Sequence, residues 1–163
     1  MPTSEELVEE VQFSRREPVV EQIGDRPLYI GDRYAAGADA VVHDLTSTFA
    51  ADNVPVLSVT LRELPLTTHH CSLRDGYNDP EQFAVAMETA RELYDEVLEG
   101  ERPGPMLVNC AMGVSRSTTT IAVLLATAED MAFEAAVEEV QTHRGAASPN
   151  SSLAELAADY LSD

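Results

Sequence analysis

The chain has 163 residues, of which 29 are acidic and ten are arginine, with no lysine, and its formal net charge is -19. That length is one ordinary domain, and 44% hydrophobic residues suffice for a sizeable core, which excludes an intrinsically disordered chain. The charge balance argues against a nucleic-acid partner, which needs a basic stripe, and no apolar run approaches the ~20 residues of a membrane span.

Taken in order, residues 1–22 are polar and acidic, with Leu7, Val8 and Val11 as one thin helical stripe, and read as an acidic arm or short helix preceding a single domain over 23–163. Arg26 to Asp32 reads as a short strand stopped by Gly31, and Ala35 to Asp44 as a loosely capped helix. Val54 to Thr60 fits a fully buried strand and Leu66 to Leu73 a half-buried one. On that strand His69 and Cys71 share one face and His70 takes the other, so the three cannot converge on one ion, and no metal or organic cofactor is expected. Cys71 is expected to be a core thiol, with a reversible disulfide to Cys110 as the less favoured reading. Asp75 to Pro80 is a loop by composition, and Phe83 to Leu98 repeats apolar residues at helical spacing. Asp79 before Pro80 is the usual N-cap and first-turn pair for that helix, which leaves Asp75 without a structural task. Helices are also expected from near Ser115, over Phe133 to Thr142, and around Leu153 to Tyr160. Alternating strands and helices predict an α/β fold with a central, mostly parallel sheet of about four or five strands flanked by helices.

The chain is organised around Met106 to Ser117, followed by the apolar run Ile121 to Ala126. A short apolar strand ends in Cys110, a turn with Gly113 at its middle follows, and a buried helix comes next. A loop between a strand end and a helix N-terminus aims successive N–H groups at one point, where the helix dipole adds positive potential. Ala111, Met112, Gly113, Val114, Ser115 and Arg116 would then surround an anion, with the guanidinium forking onto two of its oxygens. A tetrahedral phosphate fits best. Cys110 would lie beneath it, where amide dipoles and an arginine favour thiolate over thiol. Buried free cysteines are more often inert, but the strand, the central glycine, the hydroxyls of Ser115 and Ser117 and the helix together favour a nucleophile.

The stretch NCAMGVSRS at 109–117 resembles the signature of the cysteine-dependent protein tyrosine phosphatases, and its SRS ending is most similar to the dual-specificity branch. LYIG at 28–31 resembles that domain's first strand, SLRDGYNDP at 72–80 its general-acid loop, and AFEAAVEEVQTHRGAASPN at 132–150 its penultimate helix and following turn. The likeness runs from about Gly24 to Leu161. One departure is Asn109, where the family usually has histidine. The resemblance implies a dual-specificity phosphatase-like fold and hydrolysis of phosphotyrosine, and of phosphoserine or phosphothreonine, through a phosphocysteine. It assigns Cys110 as nucleophile, Arg116 as phosphate clamp, Ser117 as support for the leaving thiolate, Asn109 as loop support and Asp75 as general acid, with Asp79 the competing acid.

Two other readings stay open: a phosphate-binding pseudophosphatase, for which Asn109 speaks, and a phosphatase of a small phosphorylated metabolite. Ala111, Met112 and Val114 supply no basic group inside the loop, unlike the phosphoinositide phosphatases, which favours a phosphoprotein partner. An acidic N-terminus without a signal-like apolar stretch, and two cysteines far apart in sequence, predict a cytoplasmic protein. An acid-rich, lysine-free composition is similar to that of salt-in halophiles, since molar salt shortens the Debye length to about 3 Å and relieves self-repulsion; an acidic solubility bias in an ordinary host is the alternative, less favoured because lysine is missing altogether.

Overall fold

A computed structural model of the chain describes residues 18–37, 48–51 and 53–162. The expected stripe at Leu7, Val8 and Val11, and most of the helix expected over Ala35 to Asp44, fall outside those residues; 35–37 form a turn. Five strands form one sheet: β1 (Val20–Gln22), β2 (Leu28–Gly31), β3 (Val56–Ser58), β4 (His69–His70) and β5 (Met106–Asn109), in the spatial order β1-β2-β5-β3-β4. Only β1 runs antiparallel; β2, β5, β3 and β4 are parallel. The sheet therefore begins inside the segment expected to be an arm, because Val20–Gln22 pair with Tyr29–Gly31. The strand expected over Leu66 to Leu73 shrinks to two residues, since β4 is an edge with only the three-residue β3 as partner; Thr68 and Cys71 still donate to Val56 O and Ser58 O, but Leu66 and Thr67 donate to Ala36 O and Leu64 O outside the sheet.

Alternate residues of each strand face two separate cores. Leu28, Ile30, Leu57, Met106 and Val108 join the larger one, against helices α1 (Pro80–Leu98), α2 (Arg116–Ala128), α3 (Phe133–His143) and α4 (Ser151–Ser162). Val56 and Leu107 turn the other way, onto Ala35, Ala36, Phe49 and Val54. All four of these helices thus cover one face of the sheet. At the centre of that layer, α2 is buried at every residue from Ser117 to Ala126 and touches α1, α3 and α4. A helix apolar all round belongs in such a place. Two of its buried threonines, Thr119 and Thr120, return their hydroxyls to the carbonyls of Ser115 and Arg116, both at 2.9 Å, whereas the Thr118 hydroxyl is buried without a partner.

Asp79 caps α1 as expected: its carboxylate accepts from the Gln82 N–H at 3.2 Å, and Pro80 opens the first turn. Parallel pairing sends the ends of β2, β3, β4 and β5 to one edge of the sheet, so the loops that follow them gather there. Ligands of open α/β sheets bind at that edge.

Candidate active site

Cys110 follows β5 at this edge and is 2% exposed, with Sγ 3.1 Å from the hydroxyl of the fully buried Ser117 in the first turn of α2. The loop between them has its carbonyls turned outward and occupied. Ala111 O accepts from Arg33 N–H at 3.1 Å, Met112 O and Gly113 O from the Arg144 guanidinium at 3.2 Å each, and Val114 O from Ser148 N–H at 2.8 Å. Ser115 O takes the N–H of Thr119 at 2.9 Å. The five N–H groups of residues 111–115 have no acceptor among the described residues. Of these five residues Gly113 is buried and Met112 exposed, and successive unpaired donors between a cysteine and an open helix N-terminus are an arrangement suited to an anion.

Gly113 makes the turn possible. Its φ is +66°, and a Cβ there would stand 3.0 Å from both the carbonyl carbon and the oxygen of Gly31. Ser115 precedes α2 but does not cap it; its hydroxyl instead accepts from Asn150 N–H at 2.8 Å, tying the loop to the turn before α4. The first turn of α2 therefore keeps its positive end open toward the loop.

Arg116 gives one donor, Nη1, to Leu73 O at 3.0 Å, which fixes the guanidinium against the loop holding Asp75. That loop is closed by Asn78, 5% exposed, whose amide oxygen accepts from Arg74 N–H at 2.8 Å while its nitrogen donates to Arg74 O at 3.0 Å and Gly76 O at 3.1 Å. Asp75 is exposed at its tip, and Asp79 is occupied as the cap of α1.

Asn109, fully buried, accepts from the Ser58 hydroxyl at 2.8 Å, and Ser58 lies 2.7 Å from the Thr67 hydroxyl. Its amide nitrogen is buried without a partner. Asn109 thus ties β5 to β3 beneath the loop but offers no charged ring beside the sulfur.

The remaining residues singled out by sequence go elsewhere. His69 Nδ1 lies 2.9 Å from the Thr68 hydroxyl, and burial, then the charge of Arg102, pushes its imidazole below the usual range. His70 Nε2 lies 2.8 Å from Thr60 O. Among the described residues no three His, Cys, Asp or Glu side chains are placed to hold a metal. Cys71 follows β4 and Cys110 follows β5, with β3 between them, and both thiols are free. Two strand spacings are roughly 9–10 Å, beyond the ~7 Å that a disulfide spans without backbone movement.

Sequence reasoning takes Arg144 for a surface or packing residue without chemistry and does not single out Asp32 or Asn78. Asp32, 2% exposed, accepts from the N–H groups of Val19, Tyr34 and Ala35 at 3.1–3.2 Å and shapes the loop that bonds Ala111. For Arg144 a signal existed. Of the ten arginines, only Arg116 and Arg144 have no acid within four residues on either side, and those two meet at the loop.

A four-stranded parallel core carries the cysteine loop between its central strand and a buried helix, and solved structures share this α/β fold. Human DUSP28 matches with a TM-score of 0.67 at 19% identity, covering 88% of this chain and 95% of that one. The Yvh1 phosphatase domain of Chaetomium thermophilum matches with a TM-score of 0.67 at 21% identity, covering 88% and 96%. The fold is that of the dual-specificity phosphatases. By sequence, the chain is 48% identical to dual specificity protein phosphatase 13B of Homo sapiens over 48 residues, which is 29% of this chain and 24% of the human protein. The match thus spans about a quarter of that curated relative. No protein-family model matches the chain. Among the described residues, no helix is long and apolar enough to cross a membrane.

Proposed function

We propose that this chain is a cysteine-dependent phosphatase that hydrolyses phosphate monoesters on proteins, phosphotyrosine first and phosphoserine or phosphothreonine as well. The observation that carries this reading is the loop over Cys110, with the carbonyls of residues 111–114 held by Arg33, Arg144 and Ser148 and the five N–H groups of 111–115 left for an oxyanion. Arg116 completes the cradle with its remaining donors, and charge growing on the equatorial oxygens of the transferring phosphoryl group meets dipoles that need no reorganisation.

In the first step the Cys110 thiolate attacks phosphorus, the phosphorus–oxygen bond to the leaving group breaks, and Asp75 gives that oxygen its proton. A phosphocysteine results. In the second, Asp75 as carboxylate takes a proton from water attacking phosphorus, and the sulfur–phosphorus bond breaks. The electron pair returns to Sγ, which the Ser117 hydroxyl at 3.1 Å stabilises by donating to it. No step requires a metal or organic cofactor.

We also place the chain in a salt-rich cytoplasm, on the strength of its -19 charge and lack of lysine. The experiment is therefore hydrolysis of an aryl phosphate across pH in molar KCl, for the unchanged protein and Cys110→Ser. Turnover should be lost in the variant by at least about a thousandfold. The second reading, a pseudophosphatase that binds phosphoproteins without turnover, is favoured by Asn109, whose amide cannot supply the charge of a histidine. Absence of turnover at every pH, with a phosphopeptide still bound, would replace the first reading by the second.

A further inference from the structure

The described arginines divide sharply by place. The loops 31–37, 59–79, 110–116 and 144–150, all at the active edge, carry five arginines and four acids, whereas the other described residues carry three arginines and sixteen acids. Each of those three, Arg26, Arg91 and Arg102, is paired with a carboxylate at 2.6–3.2 Å. At the active edge the acids are mostly committed: Asp32 is buried among N–H groups, Asp79 caps α1, and Asp75 is the proposed acid. A near-neutral mouth on so acidic a body is a local positive feature, because the substrate meets the nearest charges first.

The arginines of these loops neighbour residues that bond the cysteine loop or the strand before it. Arg33 bonds Ala111 O through its own N–H and lies over the Tyr34 ring at 5.0 Å. Arg74 adjoins Leu73, whose carbonyl holds Arg116. Arg62 lies three residues beyond Val59, whose N–H bonds Asn109 O at 2.9 Å. Arg62 and Arg74 are exposed and make no ion pair among the described residues. The same loops carry Leu61, Tyr77 and Met112, exposed by 60%, 73% and 65%, three of the five large apolar side chains that the described surface exposes most. Arginine, tyrosine and methionine are residues that protein-binding surfaces concentrate.

We infer that Arg62 and Arg74 select phosphoprotein segments whose phosphorylated residue is flanked by acidic side chains, with Leu61, Tyr77 and Met112 receiving the apolar parts of the same segment. The inference rests on the proposed phosphatase reading and goes beyond it, since the cysteine loop recognises only the phosphate. Guanidinium forks match flanking carboxylates, and the acidic body of the protein repels the same peptide wherever it does not dock through this mouth.

Two phosphotyrosine peptides of one length, with glutamates or with glutamines beside the phosphotyrosine, test it. Binding is read by fluorescence anisotropy on the full chain carrying Cys110→Ser, and turnover on the chain with Cys110 intact, each with and without Arg62→Gln and Arg74→Gln together. At the lowest KCl concentration that keeps the fold, the glutamate peptide should be preferred about tenfold in affinity and in kcat/KM. The preference should shrink in 2 M KCl and fall to within about twofold in the glutamine pair, while Arg62→Lys with Arg74→Lys retains most of it. Equal binding of the two peptides by the Arg62/Arg74 protein, or a preference that survives the glutamine pair, overturns the inference. Were the glutamine pair to unfold, the two peptides compared on the unsubstituted rim would still decide. The two proposals fail separately: turnover without preference leaves the phosphatase and removes the rim, whereas preference in binding without turnover keeps the rim and removes the phosphatase.

Discussion

At the end of the sheet where β2 begins, Arg26 gives its donors to Glu129 at 2.6 and 2.8 Å and to Glu139 at 3.2 Å. At the end where β2 and β5 finish, Arg116 and Arg144 give theirs to the carbonyls of Leu73, Met112 and Gly113, and among the described residues no carboxylate pairs with them. The same side chain closes an electrostatic account at one end and leaves it open at the other. A guanidinium bonded only to carbonyls keeps its full charge for an incoming anion, whereas one bonded to two carboxylates has none to offer. Variants at the active end should therefore alter turnover with little change in stability, and variants at the far end the reverse.

The largest effect that sharpens this contrast is expected at Asp75, an exposed carboxylate with no hydrogen bond or ion pair among the described residues. Asp75→Asn should slow turnover of a substrate with a poor leaving group by about 10²–10⁴-fold and leave Tm unchanged. Asp79→Asn should leave turnover intact, because asparagine is also a good cap. If Asp79→Asn abolishes turnover of that substrate and Asp75→Asn does not, the acid is Asp79.

A smaller effect is expected at Arg144. Arg144→Met frees the carbonyls of Met112 and Gly113 to rotate, so the N–H array over Cys110 loses its fixed direction, and kcat on an aryl phosphate should fall about tenfold. Thermal unfolding should move by no more than about 2 °C. An Arg144→Met protein that is fully active, or one that no longer folds, breaks the division between the two ends.

The smallest effect lies at Arg26. Its donors, first by hydrogen bonding, hold the Glu129 and Glu139 carboxyls below their usual value of 4.5. Carboxyls lowered in the folded state add stability that is present above that value and is lost as pH falls through their lowered folded values. The side chains are 20–35% exposed, so solvent screening limits the cluster to about 1 kcal/mol. Arg26→Met should lower Tm by about 2–4 °C at pH 7, with kcat unchanged, and the gap to the unsubstituted protein should close as the pH is taken below 4.5. A gap of constant size from pH 7 to pH 3 would assign the loss to packing instead.

The amino-acid sequence by itself determined the strand, cysteine loop and buried helix at 106–128, because an apolar run, a central glycine and a β-branched segment leave little choice locally. It determined the cap at Asp79 for the same reason, since the partner, Gln82, is three residues away. Chain order also set the fold class. What only the tertiary structure decided are relations between segments remote in sequence: Arg144 on the carbonyls of residues 31 and 32 positions earlier, Asn109 on Ser58, Leu73 on Arg116, and Arg33 on Ala111. Strand lengths belong with these. Val20–Gln22 became an edge strand and β4 kept only two residues, because a strand at the rim extends only as far as one neighbour's register supplies partners. Local sequence fixes which groups a loop carries, and the direction in which its N–H groups point depends on distant donors that hold its carbonyls the other way.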